Sequence, residues 1–321
     1  MGKIIALCVS KNKGEQKSPV SSVSIKKEHG IIGDAHAGLW HRQISFLAKE
    51  RIDEFNKKGA DVLPGAFGEN IIVEGIDLKN IKVGDLLKCN DVIFEITQLG
   101  KSCHSHCAIY YKMGECIMPR LGVFARVLSG GDIKINDVIE KIVRNEERPF
   151  TAAVITLSDK GFKGEREDVS GPTIAKKLEE NGYVVIEKLL LPDGIELLKQ
   201  ELIRLADQRQ VDLILTTGGT GFSSRDLTPE ATVAVMDRNA PGIAEAIRAE
   251  SMKYTKHAML SRAVSVIRKN SLIINLPGSP KACLESMEVF LDALPHAIRL
   301  LRGSKRDCAR IDNTLKGGKN Q

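Results

Sequence analysis

The sequence predicts two domains: a strand-rich N-terminal half and a C-terminal α/β half of three layers with a mostly parallel sheet. Three observations carry this reading. The chain has 321 residues, longer than one ordinary core and close to two domains of about 150 residues each. Up to about Val143 the apolar runs are short and bounded by Gly, Asp and Asn, as in ENIIVEGI, VGDLLKC, DVIFEITQL and GDIKINDVIEKIV. That is the texture of strands joined by tight turns. From Thr151 onward, apolar runs alternate with segments of helical spacing, which places helices on the faces of a sheet. The expected boundaries are residues 1–143, a charged linker over 144–149 ended by Pro149, an α/β domain over 150–303 and a basic tail over 304–321.

In the first half only Ile44–Lys57 has helical spacing, with Phe46, Leu47, Ile52 and Phe55 sharing a face. In the second half TAAVITLS reads as a buried strand. Ser170 caps a helix that carries Pro172 in its first turn and stops at Asn181-Gly182. YVVIEKLLL is the next strand, Asp193 caps the helix GIELLKQELIRLADQ, and VDLILTT and SLIINL are further strands. One helix from Lys281 to about Leu301 closes the domain. Ligands of such a sheet bind beyond the carboxyl ends of its strands.

Apolar residues make up 42% of the chain and charged residues 27%, values typical of a globular protein. The stretch MGKIIALCVSKNKG lacks a cleavage pattern and is too short to span a bilayer. No later segment approaches about twenty apolar residues without a charge. The expectation is a cytoplasmic chain with no membrane partner. The net charge of +6 has to be located before nucleic acid is inferred. Residues 149–303 carry 20 basic and 20 acidic side chains, and half of the excess lies in the tail, on Lys305, Arg306, Arg310, Lys316 and Lys319 against Asp307 and Asp312. A solvated, frayed end accounts for that charge, and no nucleic-acid partner is expected. Seven cysteines, an odd and uneven set, argue against a disulfide framework.

The most informative segment is TTGGTGFSSRDLTPEA, from Thr216 to Ala231. Glycines after a buried strand let backbone amides approach an anion. Thr228, with Pro229 behind it, opens a helix N-terminus nearby. Asp226 lies between the two, and a carboxylate beside a phosphate-binding loop suits a Mg²⁺ ligand. No Lys-Ser/Thr pair follows the glycines, so this is not a P-loop. A plain glycine turn and a well-capped helix are the alternative reading of the same residues.

The string TTGGTG…RDLTPEA resembles the signature of the molybdopterin-binding family, which includes bacterial molybdopterin adenylyltransferase and the G domain of gephyrin. Further matches follow in order over 151–303: Thr156-Leu157-Ser158-Asp159, Asp168-Val169-Ser170-Gly171-Pro172, Leu191-Pro192-Asp193, Ala240-Pro241-Gly242, Leu260-Ser261-Arg262 and Asn275-Leu276-Pro277-Gly278-Ser279-Pro280-Lys281. The resemblance implies transfer of AMP from ATP to the terminal phosphate of molybdopterin with release of pyrophosphate. It carries the family's two important acids onto Asp193 and Asp226, as Mg²⁺ ligands, and implies nucleotide or substrate contacts at Ser158, Asp159, Gly218, Gly219, Thr220, Gly221, Pro277 and Gly278. Ser261 and Arg262 would help hold the pterin phosphate, with a polar loop as the alternative. Asp193 as a helix N-cap is the alternative for that residue. Ala263 stands where gephyrin-like members often have a small residue or serine, nearer the bacterial branch. The family also implies a homotrimer.

The N-terminal half carries Gly33-Asp34-Ala35-His36-Ala37-Gly38, Pro64-Gly65-Ala66-Phe67-Gly68-Glu69-Asn70-Ile71 and the cluster Gly100-Lys101-Ser102-Cys103-His104-Ser105-His106-Cys107, with Cys116 beyond. Cys103, Cys107, Cys116 and a histidine offer zinc ligands, but the spacing lacks the second pair of a structural site. A reactive thiol at Cys103, flanked by Lys101, His104 and His106, is the second reading, and ordinary buried cysteines are the third. The GDAHAG, PGAFGENI and QLGKSC elements are similar to those of MOSC domains, the β-rich barrels related to the C-terminal domain of molybdenum cofactor sulfurase. That resemblance, over about residues 20–142, implies that Cys103 carries sulfur or contacts molybdenum cofactor. Nothing in the chain resembles a pyridoxal-phosphate desulfurase, so PLP is not expected. The implied partners are then a separate sulfur donor and a molybdenum-inserting protein.

The leading function is an enzyme that adenylylates molybdopterin, with a MOSC domain that binds or sulfurates the cofactor. The rival is a non-catalytic molybdopterin carrier, which would not need both acids. A nucleic-acid-binding regulator is disfavoured by the neutral C-terminal half.

Overall fold

The computed structural model describes residues 1–101, 103, 108–144 and 147–303. The basic tail, two linker residues, and His104, His106 and Cys107 of the cysteine cluster therefore lie outside the described residues.

The N-terminal half contains β1 (Gly2–Val9), β2 (Ser18–Val20), β3 (Ser22–Lys26), β4 (Gly30–Ile31), β5 (Ile44–Ala48), α1 (Lys49–Asn56), β6 (Ile71–Glu74), β7 (Leu86–Cys89), β8 (Val92–Leu99), α2 (Ala108–Met113), α3 (Met118–Leu121), β9 (Val123–Ser129), β10 (Gly131–Lys134) and β11 (Val138–Ile142). Seven strands close a barrel in the order β1, β6, β5, β9, β8, β7, β11, and β11 returns to β1. Closure leaves the barrel without free edges, and its interior is filled by side chains such as Ile4, Ile44, Phe46, Val73, Phe94 and Ile96. The rings of Phe46 and Phe94 meet edge to face at 5.2 Å. A small sheet of β10, β3 and β4 stands beside the barrel.

The expected helix over Ile44–Lys57 is corrected: its first five residues are β5, and α1 begins at Lys49. Phe46 and Leu47 are both fully buried, but Phe46 enters the barrel core and Leu47 the outer cluster with Ile52 and Phe55. Consecutive residues on opposite faces belong to a strand, and pairing with β6 and β9 overrides the helical spacing.

The C-terminal half contains β12 (Thr151–Leu157), α4 (Asp159–Phe162), α5 (Ser170–Glu180), β13 (Val184–Leu191), α6 (Ile195–Ile203) with a π-helical turn over Arg204–Gln208, β14 (Leu213–Thr217), α7 (Thr228–Ala234), β15 (Arg238–Asn239), α8 (Pro241–Ser251), β16 (Ser265–Arg268), β17 (Ser271–Leu276), α9 (Pro280–Phe290) and α10 (Leu294–Leu301). The sheet order is β13-β12-β14-β17-β16-β15. Ala152, Val154, Leu213 and Ile274 face a core with α5, α9 and α10, while Ala153, Ile155, Ile214 and Ile273 face a core with α6 and α7. Three layers result.

The sheet is mixed rather than mostly parallel. β13, β12, β14 and β17 run parallel, but β16 and β15 are antiparallel to their neighbours. Only Lys269 and Asn270 separate β16 from β17, Lys269 has φ 51°, and so short a link makes a hairpin. The single closing helix is also corrected to two, because Pro295 fits only the first turn of a new helix.

Asp212, 4% exposed, ties the linker to the C-terminal half. Its carboxylate accepts from Arg148 at 3.1 Å, Arg302 at 2.7 Å, and the amide and hydroxyl of Thr151 at 2.8 and 2.7 Å. Burial opposes its charge, but these donors prevail and hold the carboxyl below the usual range. The halves also touch directly: Arg209 donates to the Thr97 carbonyl at 2.8 Å and the Val83 amide to Gln210 at 3.1 Å. Among the described residues no helix is long and apolar enough to cross a membrane.

Candidate functional site

β12 leads to β13 on one side and β13 returns to β14 on the other, so the chain diverges beyond the carboxyl ends of β12 and β14. A crevice forms where two loops part in this way. A cavity of about 740 Å³ lies there, lined by Ser158, Asp159, Asp193, Gly218, Gly219, Asp226 and Gly278 from the expected set. Its size is that of a site for a drug-sized or nucleotide-sized ligand.

The glycine turn is built by sterics. Gly218 has φ 96°, and a Cβ there would lie 2.5 Å from the Leu157 carbonyl; Gly219 has φ 63°, and a Cβ would meet the Thr228 hydroxyl at 2.5 Å. Thr228 is not the side-chain cap that the sequence suggests; its hydroxyl instead donates to the Gly218 carbonyl at 2.9 Å. Behind the turn, Asn275 donates to both Thr216 and Thr232 at 2.9 Å. This buried network fixes the ends of β14 and β17 against α7.

Two other expected caps are also corrected. The Ser170 hydroxyl donates to the Gly278 carbonyl at 2.9 Å, and Asp168 takes over the N-terminus of α5 by accepting from the Gly171 amide at 2.9 Å. Thr156 donates to the other Asp168 oxygen at 2.8 Å. Gly194 precedes α6, and Asp193 makes no cap there. The Asp193 amide donates to Asp159 at 3.0 Å, and its carboxyl is pushed up by burial and by the facing charges of Asp159 and Asp226. Asp226 accepts from the Ser223 amide at 3.0 Å. Arg225 lies 3.5 Å from Asp159 across the cavity mouth.

Asp193 and Asp226 thus offer hard oxygen ligands to a divalent cation. Among the described residues no three His, Cys, Asp or Glu side chains stand close enough to cage a metal alone. Mg²⁺ is commonly held by one or two carboxylates together with substrate phosphates and water.

Some expected residues lie elsewhere. Thr220 is buried, and its carbonyl accepts from the Arg262 amide at 3.0 Å. Arg262 also donates to the Gly221 carbonyl at 2.7 Å, to the Asp226 carbonyl and to Glu230. Its guanidinium therefore braces the glycine loop from behind, while Ser261 and Pro277 also stand outside the cavity lining. Lys160, Arg166, Ser170 and Ser279 line it without having been expected. Arg166 donates to the Ser158 hydroxyl at 3.0 Å. The N-terminal ends of α5 and α9 contribute Val169, Ser170, Ser279 and Pro280, and helix N-termini favour anions. The sequence marks the first of these with Ser170 and Pro172, whereas α9 begins at Pro280, one residue before the expected Lys281.

In the N-terminal half Cys103 is exposed, whereas Cys8 and Cys89 are buried, as is Cys283 in the C-terminal half. Burial pushes the Cys8 thiol up to about 12, and those of Cys89 and Cys283 to about 11. The GDAHAG segment supplies Asp34 to a buried ion pair with Lys17 at 2.5 Å. Lys17 is also 3.2 Å from His36 Nδ1.

Comparison with known proteins agrees with both halves. The family described as "Probable molybdopterin binding domain" matches residues 153–296, and the MOSC domain family matches residues 33–140. The molybdopterin adenylyltransferase of Helicobacter pylori is 42% identical over 153 residues, covering 47% of this chain and 87% of that protein. That of Escherichia coli K12 is 38% identical over 164 residues, covering 47% and 84%. The solved molybdopterin biosynthesis enzyme MoaB of Thermus thermophilus shares 45% identity, with a TM-score of 0.46, over 48% of this chain and 98% of that one. Through its C-terminal half the chain belongs to the molybdopterin-binding family of molybdenum cofactor biosynthesis, and it joins to that half an N-terminal MOSC domain.

Proposed function

We propose that the chain is a molybdopterin adenylyltransferase whose MOSC domain receives or sulfurates a later form of the cofactor. The observation that carries the first part is the convergence of Asp159, Asp193 and Asp226 on a cavity floored by the Gly218-Gly219 turn. A carrier has no use for three acids facing each other at a phosphate site. Asp193 and Asp226 would hold Mg²⁺, which neutralises phosphate charge as the bond changes occur. The amides of the glycine turn and the N-termini of α5 and α9 bind and orient phosphates, and Lys160 and Arg166 add positive charge. In-line placement then lets the terminal phosphate oxygen of molybdopterin attack the α-phosphorus of ATP. The bond to the bridging β-phosphate oxygen breaks, and pyrophosphate leaves.

Purified protein incubated with molybdopterin, ATP and Mg²⁺ is expected to release pyrophosphate. Binding of molybdopterin without pyrophosphate release above the ATP blank would establish the carrier instead. The same reading includes a cytoplasmic homotrimer with a separate sulfur donor and molybdenum-inserting protein as partners. The trimer is supported by the exposed apolar side chains Met252, Tyr254, Met259 and Leu260, since exposed apolar patches mark interfaces.

A further inference from the structure

Asp159, Asp193 and Asp226 share the cavity, and Arg225 from the same loop as Asp226 stands against them. Its guanidinium lies 3.5 Å from one oxygen of Asp159, whose other oxygen accepts from the Asp193 amide at 3.0 Å. Among the described residues Asp159 is the one carboxylate that forms an ion pair with Arg225. Burial and the facing charges of Asp159 and Asp226 push the Asp193 carboxyl up, and Arg225 acts against them. Arg225 is thus a counter-ion that the chain itself supplies to these acids. The pair is open to water, with side chains 73% and 31% exposed. Solvated pairs of this kind are weak and exchange readily.

The backbone that carries Arg225 is fixed, while its side chain stays in water. Arg262 donates to the carbonyls of Gly221 at 2.7 Å and of Asp226, and pairs with Glu230. One guanidinium therefore grips both ends of the loop. Inside the loop, the Ser223 amide donates to the Asp226 carboxylate at 3.0 Å, and the Asp226 amide returns to the Ser223 carbonyl at 2.9 Å. A Cβ on Gly221 would stand 2.9 Å from that carboxylate, so glycine lets the turn close. Arg225 lines the same cavity as Lys160, Arg166 and the Gly218-Gly219 turn. Its planar fork matches the oxygens of a phosphate as well as those of a carboxylate.

We propose that Arg225 is an exchanging ligand of this site. Paired with Asp159 in the empty cavity, it yields that carboxylate to a divalent cation and turns its guanidinium onto the polyphosphate of the incoming nucleotide. This rests on the reading of the cavity as a nucleotide site. The exchange has a signature in sign. A counter-ion competes with the metal, so its removal strengthens metal binding. Removal of a phosphate ligand weakens nucleotide binding. A residue that only supports the fold moves both affinities in the same direction.

The test measures two affinities in the full chain, neither of which needs turnover. Binding of Mn²⁺ alone is read from the electron paramagnetic resonance of the free ion, and binding of ATP with Mg²⁺ by calorimetry. Arg225→Gln is expected to tighten Mn²⁺ binding by about fivefold, the effect of one charge at ion-pair distance in water. The same variant should weaken ATP binding by about tenfold or more, from loss of a charge-assisted hydrogen bond. Arg225→Lys keeps the charge, so its Mn²⁺ affinity should equal that of the wild type. Opposite shifts in Arg225→Gln, with Mn²⁺ binding unchanged in Arg225→Lys, support the proposal, and any other pattern overturns it. Pyrophosphate release tests the underlying reading separately. Its absence from the wild-type protein ends the adenylyltransferase reading while opposite shifts still place Arg225 as the exchanging ligand.

Discussion

The amide of Asp193 donates to the carboxylate of Asp159 at 3.0 Å, which ties the loop after β13 to the loop after β12. Two acids from separate strands thereby share one wall of the cavity, and Asp226 faces them from the glycine loop. A bound cation would relieve their mutual repulsion. Asp226→Asn is therefore expected to lower pyrophosphate release by about a hundredfold or more, with the fold and molybdopterin binding retained. Wild-type turnover in this variant removes the carboxylate from the mechanism.

Gly218 offers a test of the turn itself. Its φ is 96°, and an alanine methyl there would lie only 2.5 Å from the Leu157 carbonyl oxygen, which leaves no room for the side chain. Gly218→Ala should lower stability by about 1–3 kcal/mol and weaken ATP binding, read by thermal melts with and without nucleotide. An unaltered melt and unaltered nucleotide shift would show that the turn can relax.

Thiol reactivity should follow burial. Cys103 is exposed, and Cys8, Cys89 and Cys283 are buried with thiols pushed up to between about 11 and 12. Limited iodoacetamide treatment is expected to label Cys103 at least tenfold faster than these three. Equal labelling of Cys103 and Cys283, with no protection by cofactor, ends the sulfur-carrier role.

Acid should loosen the contact between the two halves, where His41 lies 2.9 Å from Gln98. Burial, aided by Arg209, lowers His41 from 6.5 to about 4, so between those values the unfolded chain takes up a proton that the folded chain does not. The His41 contribution is complete above pH 6.5 and falls as pH drops toward 4. The unfolding midpoint should decline over that window, and His41→Gln should flatten the decline. An equal slope in the variant assigns the acid sensitivity to other groups.

Removal of the N-terminal half tests separability. A chain beginning at Arg148 keeps the Asp212 bonds to Arg148 and Arg302, and pyrophosphate release should persist. It exposes Arg209 and Gln210, so a lower melting temperature is expected. A folded but inactive product would place part of the catalytic site in the MOSC half.

The glycine loop, the acids and the strand-helix alternation of the second half were legible because each is written in adjacent residues: turn chemistry, caps and periodicity act over a few positions. The same locality explains the errors. Asp193, Ser170 and Thr228 each sit where a helix cap belongs, yet their partners lie on other elements or their caps come from neighbours. Ile44–Ala48 carries helical spacing but pairs with β6 and β9, strands that begin more than twenty residues away. Sequence alone determined the two-part organisation, the chemical character of each half and most of the cavity-lining acids and glycines. Tertiary structure decided which donors meet which acceptors, turned Arg262 into a brace, brought Lys160 and Arg166 to the cavity, and set Arg209 against Glu187. Burial and Coulomb interactions depend on distances between residues far apart in the chain, and only the folded backbone sets those distances.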